Sequence, residues 1–108
     1  KILVLGVAYK RDIDDVRESP ALDILAFLHA RGANVCYHDP YIPSLMLGNE
    51  RIESVPFEAL GSYDAVVVVT DHKSIDYGRV AKDARLVVDT RNAMRAHREA
   101  IGDRLVTL

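Results

Sequence analysis

The residues best suited to chemistry gather in the stretch "GVAYKRDIDDVRESPALDIL", positions 6–25, where an apolar run gives way to an amphipathic one. Lys10, Arg11 and Arg17 supply three cations, and Asp12, Asp14, Asp15 and Glu18 supply four carboxylates. Two chemistries are open to such a set. The cations could meet an anionic ligand, joined by the free N–H groups of a helix that starts near Ser19. Alternatively, acids and cations pair on a solvated surface. Three cations against four acids leave the loop at −1, and charge alone favours that second reading. Strand-to-helix connections usually take about 2–6 residues, so the length of this one calls for a reason.

Further polar residues follow later apolar runs: His38 and Asp39, Asp71 and His72, Arg91 and Asn92. In open parallel sheets ligands bind beyond the carboxyl ends of the strands. A site on that edge would therefore collect these residues together with Tyr9 and Lys10. Several familiar chemistries lack their residues. "LGVAYKRD" has one glycine and not the G-x-G-x-x-G that brings backbone to a pyrophosphate. Asp39 stands where a ribose-binding carboxylate would, but without those glycines an Asp-Pro turn is the stronger reading. The histidines at 29, 38, 72 and 97 have no H-x-x-x-H or H-x-H spacing, so no metal site is expected. No serine lies in a G-x-S-x-G elbow, and Cys36, within "ANVCYH", reads as a buried inert thiol. No catalytic residue is assigned in this chain.

The elements that must position these groups alternate along the chain. "KILVLGVA" is a near-continuous apolar run, as in a parallel strand covered on both faces. Ala21, Ile24, Leu25 and Leu28 fall on one helical face, with Ser19 as N-cap, Pro20 at the first helical position and Gly32 at the exit. "NVCYHD" reads as a second strand. Residues 40–62 read as a loop, a brief strand near Ile52–Val55 and a short helix at Pro56–Leu60. "DAVVVVTDH" is a central strand, because Val66 to Val69 are all β-branched. A short helix interrupted by Gly78 follows, then the buried strand "RLVVDTRN", a helical or irregular "MRAHREAIG" and an edge strand "RLVTL". The expected fold is α/β: one three-layer, Rossmann-like domain over residues 1–108, with a mostly parallel sheet of five to six strands and helices on both faces.

Bulk properties narrow the partners. A chain of 108 residues suits one core. A net charge of −2 provides no basic field, so neither nucleic acid nor an acidic membrane surface is expected. The apolar runs fall well short of the ~20 residues of a membrane span. Lys1 opens directly on a strand, which reads as a piece of a longer protein, and a single cysteine fits a reduced, cytoplasmic setting. An acidic cluster beside an α/β sheet also suggests a receiver- or flavodoxin-like binding module. "VLGVAYK", however, lacks the first-strand acids a receiver needs.

Three stretches, "KILVLGVAYKRDIDDVRESPALDIL", "GANVCYHDPYIP" and "DAVVVVTDHKSIDY…LVVDTRNA", together resemble the C-terminal, UDP-binding domain of the UDP-glucose/GDP-mannose dehydrogenase family. The resemblance covers essentially the whole chain. It implies a domain of an NAD-dependent enzyme that oxidises the C6 alcohol of a UDP-sugar to the uronate. The NAD would be bound mainly by a missing N-terminal domain, a central helical region would join the two, and the full-length enzyme would be a homodimer or larger. By the same resemblance Tyr9, Lys10 and Arg91 contact the substrate, and Arg17 approaches the NAD. The family's nucleophilic cysteine lies in a motif absent here and is not Cys36, so the isolated domain is expected to be inactive. "GVAYKRDIDDVRESPALDI" looks most like members acting on UDP-N-acetylglucosamine or UDP-N-acetylmannosamine, with UDP-glucose as the alternative.

Overall fold

The computed structural model describes residues 1–17 and 19–108; Glu18, one of the four loop acids, lies outside them. Five strands, β1 (Ile2–Leu5), β2 (Val35–His38), β5 (Ala65–Val68), β6 (Val87–Asp89) and β7 (Leu105–Thr107), form one sheet in the order β2-β1-β5-β6-β7. Every pairing in it is parallel. The valine-rich β5 is central and β7 is an edge, as their sequences lead one to expect.

The alternation of side chains along β1 and β5 divides the interior into two cores. Leu3, Leu5, Val66 and Val68 face one side, where α2 (Tyr77–Asp83), α3 (Arg98–Ile101) and the 3-10 turn Leu60–Ser62 supply Val80, Ala81, Ile101 and Leu60. Val4 faces the other side, against Ala21 and Leu25 of α1 (Pro20–Ala30) and Leu45 of β3 (Ser44–Leu47). The sheet thus lies between two layers. α1 begins as the sequence dictates: the Ser19 hydroxyl accepts from Ala21 N–H at 3.1 Å, Pro20 takes the first position, and Gly32 exits at φ 86°.

Two expectations are corrected between β2 and β5. The brief strand is the second arm of an antiparallel hairpin, β3 with β4 (Glu50–Glu53), which stands apart from the main sheet. Its loop is Gly48–Asn49, and only Gly48 has positive φ (62°), the position a type II′ hairpin turn gives to glycine. The helix expected at Pro56–Leu60 is replaced by the 3-10 turn Leu60–Ser62, which begins only after a left-handed Ala59. Residues 54–57 instead run along β2, with Val55 N–H donating to the Tyr37 carbonyl at 2.8 Å, and so cover that edge strand. Gly78 does not interrupt α2. It lies in the first turn, where the Asp76 carboxylate accepts from Arg79 N–H, and a Cβ there would come within 3.3 Å of the His97 ring.

Candidate functional site

From β1 the chain crosses to β2 on one side of the sheet, and from β5 it crosses to β6 on the other. Adjacent strands whose connections diverge in this way leave a crevice at their carboxyl ends, the switch point where α/β sheets bind ligands. The loops that follow β1 and β5 meet there.

The first loop is fastened at its base. Gly6 adopts φ 83°, and a Cβ on it would lie 2.2 Å from the Thr70 carbonyl oxygen, so only glycine lets β1 leave the sheet this close to β5. The buried Asp39 carboxylate then captures the exit. Its Oδ2 accepts from Val7 N–H at 2.8 Å, Ala8 N–H at 3.1 Å and His72 Nε2 at 2.8 Å. Oδ1 accepts from Tyr41 N–H at 2.8 Å. Burial raises the Asp39 pKa, but the hydrogen bonds from His72, Tyr41 and Val7 outweigh it and hold the carboxyl below its ordinary value. The turn expected at Asp39 is present, and the carboxylate, 3 % exposed, is consumed by the protein itself and is not presented to a ribose.

His72 extends this network into the loop. Its Nδ1 accepts from Asp12 N–H at 2.7 Å, which leaves the proton on Nε2 for Asp39. The Asp12 carboxylate in turn accepts from Lys73 N–H at 2.8 Å. Arg11 reaches the same strand end, its Nη2 donating to Asp71 Oδ2 at 2.9 Å. The loop is therefore long because it spans the ends of β1 and β5. Among the described residues, self-pairing within the loop is seen where Arg17 Nε and Nη2 donate to the two Asp15 oxygens at 3.1 and 3.0 Å. That guanidinium holds the Asp15 carboxyl below its ordinary range.

The third contribution comes from the loop after β6. Asp89 is buried at the strand end and accepts from the N–H groups of Arg91, Ala93 and Met94 at 3.0, 3.1 and 2.8 Å. This closure, with Asn92 in the left-handed region at φ 59°, sets the direction in which Arg91 leaves the sheet. Arg91 Nε comes to 3.7 Å from Asp71 Oδ1. Two arginines from separate loops thus share one carboxylate at the switch point.

Beside them is a cleft of about 210 Å³, lined by Arg11, Asp71, Lys73, Tyr77, Ala93 and Arg95. Three cations face one acid, although the chain as a whole carries −2. The arrangement suits a multiply charged anion, which Arg can engage through paired N–H groups. Tyr77 closes the floor. Burial, with the Asp71 charge next in weight, pushes its phenol far above the ordinary value, and the hydroxyl donates to the His72 carbonyl at 2.9 Å.

Of the residues singled out in the sequence, Arg11 and Asp71 line the cleft and Arg91 joins them through Asp71. Lys10 and Tyr9 sit together on the exposed crest of the loop, the Lys10 amine 5.6 Å from the Tyr9 ring centroid. Arg17 is engaged on Asp15 with its side chain 87 % exposed. Lys73 and Arg95 went unmarked, because their part in the cleft comes from loops that only the sheet order brings together. Among the described residues no group of three or more His, Cys, Asp or Glu could hold a metal. The β1–α1 connection does not fit a dinucleotide either: its single tight glycine faces Thr70, and the buried Ser19 closes the helix start.

Residues 3–96 match the model of the UDP-glucose/GDP-mannose dehydrogenase family, UDP binding domain. The chain is similar to the UDP-glucose 6-dehydrogenase of Rhizobium meliloti (strain 1021), 33% identical over 105 residues, covering 88% of this chain and 24% of that protein. It is similar also to the UDP-N-acetyl-D-mannosamine dehydrogenase of Pyrococcus horikoshii, 34% identical over 99 residues, covering 87% of this chain and 22% of that protein. The solved structure of UDP-D-ManNAc dehydrogenase from Pyrococcus horikoshii superposes with a TM-score of 0.73 at 27% identity, over 98% of this chain and 24% of that one. That of NDP-N-acetyl-D-galactosaminuronic acid dehydrogenase from Methanosarcina mazei Go1 gives 0.74 at 25% identity, over 100% of this chain and 24% of that one. This chain therefore spans about a quarter of the length of the relatives it matches, and it belongs to the UDP-glucose/GDP-mannose dehydrogenase family as its UDP-binding domain.

Proposed function

We propose that this chain is the substrate-nucleotide domain of an NAD-dependent enzyme that oxidises the C6 alcohol of a UDP-sugar to the uronate. The observation that carries the reading is the meeting of Arg11 and Arg91 on Asp71 at the switch point, beside a cleft whose other cations are Lys73 and Arg95. In this reading the diphosphate seats among these cations, and Tyr9 and Lys10 on the adjoining crest contact the substrate. NAD, which accepts the hydrides, is held by an N-terminal domain outside this chain, with Arg17 released from Asp15 to approach it. The domain supplies affinity and orientation remote from C6, a division of labour in which nucleotide contacts position the reacting carbon. A central helical region and a second subunit complete the enzyme, in the cytoplasm, and the isolated domain is inactive.

The sugar favoured is UDP-N-acetylglucosamine or UDP-N-acetylmannosamine, from the resemblance of "GVAYKRDIDDVRESPALDI" to members acting on those sugars, with Tyr rather than Phe at position 9. A second reading, UDP-glucose, is favoured by the similarity to the Rhizobium meliloti enzyme. Steady-state kinetics of the full-length polypeptide with each sugar nucleotide separates the two by kcat/KM. In the same assay Lys10→Ala and Arg91→Ala are expected to raise KM about tenfold or more, as loss of a charged contact worth about 1.5–3 kcal/mol requires. Unchanged KM and turnover for every sugar nucleotide would exclude a substrate role for these residues.

A further inference from the structure

We propose that Asp71 is the positioning residue of this site, dividing its carboxylate between Arg11 and Arg91 so that both guanidinium groups stand ready with unused donors. The inference rests on the nucleotide-binding reading above and concerns how that site is built. A carboxylate facing arginine usually takes a bidentate, fork-to-fork pair from a single partner. Asp71 does otherwise. Oδ2 accepts from Arg11 Nη2 at 2.9 Å, whereas Oδ1 has Arg91 Nε at 3.7 Å, beyond hydrogen-bonding length.

Oδ1 is the exception in the interior: among the described residues it is a buried side-chain oxygen with no hydrogen-bond partner, in a side chain only 8 % exposed. A buried acceptor left open is costly and calls for an explanation. The split supplies one. Arg11 spends a single nitrogen on Asp71, and Arg91 turns only its Nε edge toward it. The terminal nitrogens of Arg91, and Nε and Nη1 of Arg11, have no partner among the described residues. Two forks, held from one point, can therefore close on a diphosphate from two loops. As they close, a short shift of Arg91 brings Nε onto Oδ1.

The opposing explanation is that Asp71 merely offsets the charge of the surrounding cations. The two differ in sign. Removing a counter-charge strengthens anion binding, whereas removing a positioning group weakens it. UDP is titrated calorimetrically against the full-length polypeptide as wild type, Asp71→Asn, Arg91→Ala and the double variant, each checked by thermal unfolding. Asp71→Asn is expected to weaken UDP binding about tenfold, although it makes the site more positive. That loss is expected to shrink once Arg91 is already alanine, a coupling that a purely structural role would not produce. Binding as tight as wild type or tighter, with an intact melt, overturns the proposal. Should Asp71→Asn fail to fold, Arg11→Lys carries the same test, since it keeps the charge and loses the fork; unchanged affinity there overturns it equally. Wild-type protein that does not bind UDP overturns the nucleotide reading itself, and the positioning role with it.

Discussion

Asp39 and Asp71 are both carboxylates just beyond a strand end, and their surroundings give them opposite tasks. Asp39 is saturated with donors from Val7, Ala8, Tyr41 and His72 and serves the fold. Asp71 keeps one oxygen open and faces the cleft. Replacing Asp39 with alanine would strand the buried Val7 and Ala8 N–H groups and the His72 Nε2 proton. The expected cost is about 3 kcal/mol at neutral pH, measured by urea unfolding. Because the folded-state pKa of Asp39 lies below its unfolded value of about 3.9, its contribution is complete above that value. It is lost as pH falls through the folded-state value, so wild type and Asp39→Ala should converge in stability under acid and diverge at neutrality. A constant gap across that range would show that the charge of Asp39 is not what holds the loop. The sequence shows the turn at Asp39 but neither of these tasks, because the donors that distinguish the two acids are distant: Ala8 lies 31 residues from Asp39, and Arg11 lies 60 residues from Asp71.

At the scale of elements, what could be read was whatever the local sequence determines. Ser19, Pro20 and Gly32 bound α1 as capping chemistry demands, and the β-branched run Val66–Val69 gave the central strand. The hairpin β3–β4 was half legible. Its "GN" turn is a recognised hairpin signal, but the prolines at 40 and 43 and the short apolar pieces around them concealed the first arm. Leu45 and Ile52 pair directly across the hairpin, and both pack into the core that α1 covers. The junction of β1 with its loop depends on Gly6. Gly6→Ala combines an unfavourable φ with backbone overlap at Thr70, and a loss of about 3 kcal/mol or more is expected by thermal or denaturant unfolding. By contrast, Gly48→Ala meets open space and should cost only about 1 kcal/mol, from φ alone. Similar losses at the two positions would contradict the close approach assigned to Gly6.

For the molecule as a whole, alternating strand and helix signals were enough for a parallel α/β domain, whereas strand order was not contained in them. That order decides the site. Because β1 and β5 are neighbours with diverging connections, Arg11 meets Asp71 and Asp12 meets His72, each across 60 residues of sequence. The loop's acids and cations could not reveal this on charge alone, since self-pairing and long-range pairing have the same composition. The central claim is that UDP seats at this switch point, and hydrogen–deuterium exchange of the full-length polypeptide with and without UDP tests it most directly. Protection is expected in the segments around 9–12, 71–73 and 91–95, with the 44–53 hairpin unchanged. Protection confined to the hairpin, or absent from all three loops while UDP is bound, would contradict it.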